Sequence, residues 1–164
     1  MNLIVFDIDD TLTKSEYQHQ LAYVTAMREF GIARVDQNWK TYKHHTDSYI
    51  LKANFENNHT TKFEFSQIPA FEERMTEHML TLTEVSEIKG AKTVVSNFLD
   101  RDDYAVAFAT GSLLKPALIK LNQSQIQYNP NLVVGSNTIY SREDIVKEAI
   151  KSCLLYTSPS PRDS

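Results

Sequence analysis

Apolar and polar positions divide the chain into segments of contrasting period. Residues 2–6 (Asn-Leu-Ile-Val-Phe) are a short run rich in strand formers that ends at Asp7. Continuous apolar character of this length predicts a strand buried on both faces, as in a parallel sheet. Over 15–30, Tyr17, Leu21, Val24 and Phe30 recur near helical spacing, and Gly31 supplies a stop signal. A second helical stretch is expected from 36 to about 57, carrying Trp39, Tyr42, Tyr49, Ile50 and Phe55. A third covers 69–82, where Pro69 suits a first helical turn. Gly90 marks a boundary before a short helix at 91–100. Residues 104–109 then alternate as a second strand and end at Thr110-Gly111-Ser112. A helix at 116–122 leads to a third strand near 132–134, and a last helix is expected over 141–152. There Ser141 with Asp144 resembles a helix-start signature.

Strands that alternate with helices indicate an open α/β sheet. The stretch from 15 to 88 is too long for a simple crossover and reads as a helical insert between the first and second strands. The core is then built from 1–14 and 89–152. Composition is that of an ordinary globular chain, with 41% hydrophobic and 23% charged residues, which excludes intrinsic disorder. Seventeen Lys+Arg against twenty-one Asp+Glu give a net charge of −4, and so no bulk attraction to a nucleic-acid backbone. No apolar run reaches the roughly 20 residues of a membrane span, and residues 1–8 lack the basic start and apolar stretch of a secretion signal. Cys153 is the sole cysteine and cannot pair internally, which points to a cytoplasmic location. Residues 153–164 change character, because Ser-Pro-Ser-Pro cannot continue a helix. That tail resembles one reading frame of a transposon-end sequencing adapter, and a native sequence stopping near Ser152 is the expectation.

The chemistry concentrates in Phe6-Asp7-Ile8-Asp9-Asp10-Thr11-Leu12-Thr13. In extended chain, residues i and i+2 project the same way, so Asp7 and Asp9 face one site. Ligands of open α/β sheets sit beyond the carboxyl ends of the strands. Two carboxylates there suit a hard divalent cation, or a nucleophile paired with a proton-handling group.

Asp7-x-Asp9-x-Thr11 after an apolar strand resembles the first motif of the haloacid-dehalogenase-like hydrolase superfamily. The insert resembles that family's helical cap, and Ala109-Thr110-Gly111-Ser112 its second motif. The resemblance implies a Rossmann-like parallel-sheet core with a cap over 15–88, stopped before a fourth core strand. It implies a phosphomonoester hydrolase working through an aspartyl-phosphate, with a phosphomutase or a catalytically dead binding module as alternatives. Asp7 is then the nucleophile and Asp9 the general acid/base, both also serving Mg²⁺. Thr110, Gly111 and Arg142 hold the phosphate, Arg142 (with Lys147 as second choice) standing where the third motif has a lysine. The fourth, acidic motif has no match, so this chain itself is expected to be inactive. His45 and Asp47, in the cap, are candidates for selecting the substrate, a small phosphorylated metabolite. Glu72-Glu73-Arg74 and Asp100-Arg101-Asp102-Asp103 read as solvated charge.

Overall fold

The computed structural model describes residues 1–157. Strand β1 (Asn2–Phe6) lies beside β4 (Tyr104–Ala109) in parallel, and β4 beside β5 (Val133–Val134), giving a three-stranded parallel sheet of order β1-β4-β5. The apolar runs are buried as parallel sheets require, with Val106, Ala107 and Phe108 all below 5% exposed. Each face carries its own core. On one side Val106 and Phe108 pack with Val95 of α4 (Ala91–Leu99) and with Ala117 and Leu121 of α5 (Leu114–Gln123). On the other, Ala107 and Ala109 meet Ile145, Ala149 and Cys153 of α6 (Arg142–Thr157), spaced four apart on one helical face. Helix α6 therefore continues five residues past the boundary expected at 152, because Cys153 extends its buried stripe. Residues 158–164 of the tail lie outside the described residues.

Between β1 and β4 the chain forms a helical layer of its own. Helix α1 (Glu16–Glu29), α2 (Asp47–Asn58) and α3 (Ile68–Thr81) surround a third core of Tyr23, Met27, Ile50, Leu51, Phe71 and Met75. The helix expected from 36 is shorter than its apolar pattern suggested. Residues 36–46 form a loop with one turn of 3₁₀ helix at Trp39–Thr41. Asn54 determines this, since its side-chain oxygen accepts from the Asp36 amide and its amide donates to the Tyr42 hydroxyl. Trp39 and Tyr42 still pack onto the helical core from that loop. A short antiparallel ribbon of β2 (Thr13–Lys14) and β3 (Ser86–Glu87), unmarked in the hydropathy pattern, ties the two ends of the insert together.

Candidate active site

Parallel pairing sets the site. Phe6 stands in register with Phe108, so Asp7 and Thr110 emerge at the same carboxyl end of adjacent strands. After β1 the backbone curls sharply, the Ile8 carbonyl accepting from the amides of Leu12 (2.9 Å) and Thr13 (3.1 Å). The turn requires a left-handed residue at Asp10 (φ 57°), a conformation a short acidic side chain tolerates. Ile8 is fully buried between two partly exposed acids, and Thr13 and Ser15 are buried behind them.

Each acid meets a cation. Arg142, on the first turn of α6, donates from Nη2 to Asp7 Oδ1 (3.1 Å), and Thr11 donates to Asp7 Oδ2 (3.3 Å). Asp9 Oδ1 accepts from Lys120 Nζ (2.6 Å) and Ser15 Oγ (2.7 Å), while Oδ2 accepts from Thr110 Oγ1 (3.3 Å). The Thr110 hydroxyl in turn accepts from the Ser112 amide (3.1 Å). Burial opposes ionisation of Asp9. The charge of Lys120 and the bonds from Lys120 and Ser15 outweigh that penalty. The Asp9 carboxyl therefore sits well below the ordinary carboxylate range.

Lys120 and His19 carry no motif and escaped sequence reading. Lys120 is fully buried on α5, donating to Asp9 Oδ1, to His19 Nδ1 (2.7 Å) and to Ser112 Oγ (3.3 Å). All three ammonium donors are thereby used. The available signal was a lysine on the same helix face as Ala117 and Leu121, where the pattern calls for an apolar residue. Glu72 is a second correction. Rather than solvated charge it is buried, accepting from the Lys115 amide at the start of α5 (3.0 Å) and from Asn137 Nδ2 (2.8 Å). Arg101 and Asp103, by contrast, form an exposed pair.

Beside Asp9 is a cavity of about 580 Å³, bordered by Asp9, Gly111 and Arg142 of the core and Trp39, Lys40 and His45 of the insert. Asp7 lies in an adjoining groove that shares Gly111 and Arg142 with the cavity. His45 is exposed on the cavity wall. Asp47, also on that wall, has both carboxylate oxygens engaged, Oδ1 with His19 Nε2 (2.9 Å) and Oδ2 with the Leu113 amide (3.1 Å). Lys147 lies away from the acids, paired with Glu143 on the exposed face of α6. Gly111 is where the insert presses on the core: a Cβ there would stand 2.6 Å from the His45 carbonyl oxygen.

As a divalent-cation site this donor set is incomplete. Among the described residues no group of three or more His, Cys, Asp or Glu side chains converges, and both acids face a basic partner.

Comparison with known proteins agrees with this fold. The family model described as haloacid dehalogenase-like hydrolase matches residues 4–157. A hydrolase from Pseudomonas syringae superposes with a TM-score of 0.66 at 19% identity, covering 93% of this chain and 70% of its own. CbbY from Rhodobacter sphaeroides, solved in complex with phosphate, gives 0.66 at 17% identity over 93% of this chain and 72% of its own. At such identities the likeness concerns the fold. Curated protein sequences offer no match.

Proposed function

The chain belongs to the haloacid dehalogenase-like hydrolase family, and within it we propose a phosphomonoester hydrolase that transfers the phosphoryl group first to Asp7 and then to water. The supporting observation is the pairing of two carboxylates at the carboxyl end of β1 with two cations from α5 and α6, beside a cavity that Asp9 and Arg142 border. Phosphoryl transfer is chiefly a matter of positioning and of balancing charge on the moving group. Arg142 is placed to do both, since it touches Asp7 and also borders the cavity. The Gly111 and Ser112 segment borders the same space, offering polar groups to phosphate oxygens. Asp9 rests as a carboxylate and presents Oδ2 on the Thr110 side as the atom to take a proton from water attacking the phosphorylated Asp7, against the low proton affinity that Lys120 imposes. Asp7 and Asp9 alone do not complete a magnesium site among the described residues, and Asp7, Asp9 and Arg142 contribute their own charges and hydrogen bonds. A neighbour of the same fold that holds phosphate is consistent with this reading.

A phosphoryl label decides it. The chain is incubated with p-nitrophenyl phosphate and Mg²⁺ and trapped with borohydride, which reduces an aspartyl-phosphate to homoserine as phosphate leaves, and the residue so marked is mapped by peptide mass spectrometry. Label is expected on Asp7 and lost in Asp7→Asn; equal labelling of both proteins, or label elsewhere, overturns the assignment. Turnover is expected to be slow with the metal site incomplete, limited by the loss of label from Asp7, and rapid sustained Mg²⁺-dependent phosphate release refutes that part. An isomerised sugar phosphate in place of free phosphate identifies a mutase.

A further inference from the structure

We infer that Lys120 is a positioning residue for Asp9, held in place by His19 and Asp47. The inference rests on the hydrolase reading and deepens it. Lys120 comes from α5, which contributes neither acid, and reaches the site through a fully buried side chain. A buried ammonium is costly unless every donor finds an acceptor. Here the three acceptors are Asp9 Oδ1, His19 Nδ1 and Ser112 Oγ. An ammonium only donates, so His19 Nδ1 accepts, and the ring proton lies on Nε2, where Asp47 Oδ1 takes it at 2.9 Å. Asp47 is itself fixed by the Leu113 amide on Oδ2 and by its own amide donating to the Gly111 carbonyl at 2.8 Å. A continuous chain, Asp47–His19–Lys120–Asp9, thus runs from the insert to the acid.

The chain treats the two oxygens of Asp9 differently. Lys120 and Ser15 both hold Oδ1, at 2.6 and 2.7 Å. Oδ2 has the long 3.3 Å bond from Thr110 alone. Pinning one oxygen from behind fixes the carboxylate plane and leaves the other as the working atom. Such orientation from behind the reacting group sustains proton-transfer geometry. Because His19 and Asp47 belong to α1 and α2, a displaced insert loosens Asp9 directly.

The test separates loading from loss of the phosphoryl group. Lys120→Met keeps the volume and removes the donors. Loading of Asp7 from p-nitrophenyl phosphate, whose leaving group needs no proton, is expected to change by no more than about threefold. Loss of label from Asp7 to water is expected to slow on the order of 10²-fold, the low end of general acid–base contributions. Equal slowing of both steps assigns Lys120 a merely structural role and overturns the inference, as does unchanged loss. Where Lys120→Met fails to fold, His19 variants serve. His19→Asn, whose amide oxygen approximates Nδ1 as an acceptor, retains loss of label near that of the unmodified chain, whereas His19→Leu slows it; identical behaviour of the two overturns the inference. If the unmodified chain takes no label, the hydrolase reading falls by itself. The positioning chain is then judged by ¹⁵N NMR of His19 at fixed pH: an Nε2-protonated tautomer that shifts in Lys120→Met supports it, and identical ring signals in both proteins refute it.

Discussion

At the scale of single residues, the site is governed by which charges lose water together. Asp9 and Lys120 form a contact in which the lysine has no exposure and the acid is partly covered. Removing one partner of such a pair leaves a buried charge uncompensated, which costs about 3–5 kcal/mol. Asp9→Asn keeps the shape and discards the charge, so it should lower the free energy of urea unfolding by about 3 kcal/mol at neutral pH. The sign of its pH dependence follows from the depressed carboxyl. An acid that ionises more readily in the folded than in the unfolded chain stabilises above the unfolded value, about 4, and loses that contribution as pH falls below it. The stability gap between the unmodified chain and Asp9→Asn should therefore narrow on acidification below about pH 4. A gap that stays constant or widens there contradicts the pairing. Asp7 and Asp9 could be nominated from acids following a strand end, and Thr110 and Gly111 from the resemblance of 109–112 to a family motif. Lys120 could not, since a lysine in an amphipathic helix reads as solvated unless its face is known.

At the scale of elements, the start of α2 joins insert and core. Thr46 caps the helix, accepting from the Tyr49 amide at 3.3 Å, and its hydroxyl donates to the Tyr140 carbonyl at 2.7 Å. Ser48 adds a bond to the Ile139 carbonyl at 3.0 Å. Thr46→Ala removes a cap and strands a carbonyl, for an expected cost of about 1–2 kcal/mol. Hydrogen exchange checks the location, with amides of the first turn of α2 and of 139–142 deprotected together. Protection lost in α2 alone shows that the link to the core carries no weight. Among the described residues the α-helices form where the sequence pattern placed them, α6 running five residues longer, and one segment fails to join its helix. The exception, 36–46, carries aromatic residues at helical spacing yet is shaped by Asn54, a partner some twelve to eighteen positions away. Local periodicity holds no information about such a partner.

At the scale of the whole molecule, the insert's core includes Leu113, a fully buried residue from the loop after β4. This side chain plugs the helical layer into the sheet layer. Leu113→Ala is expected to cost about 2–5 kcal/mol, as buried leucine truncations do. The unmodified chain is expected to unfold in one transition and the variant in two, read by tryptophan fluorescence from Trp39 in the insert and by far-ultraviolet circular dichroism. Coincident transitions in this variant show that the layers are joined elsewhere. The apolar faces of α4, α5 and α6 could be assigned to a core from their spacing, but the allocation of α4 and α5 to one side of the sheet and α6 to the other could not.

The sequence alone determined the parallel α/β core, the long helical insert and the acidic strand end, because these depend on local period and on residue type at fixed offsets. The tertiary structure decided how the charges meet. It brought Arg142 to Asp7 across 135 positions and Lys120 to Asp9 across 111, and it turned Glu72 from an expected surface charge into a buried clamp on α5. Coulombic and hydrogen-bonding partners are chosen by proximity in space, and proximity over such separations exists only once the sheet and its two helical layers have packed.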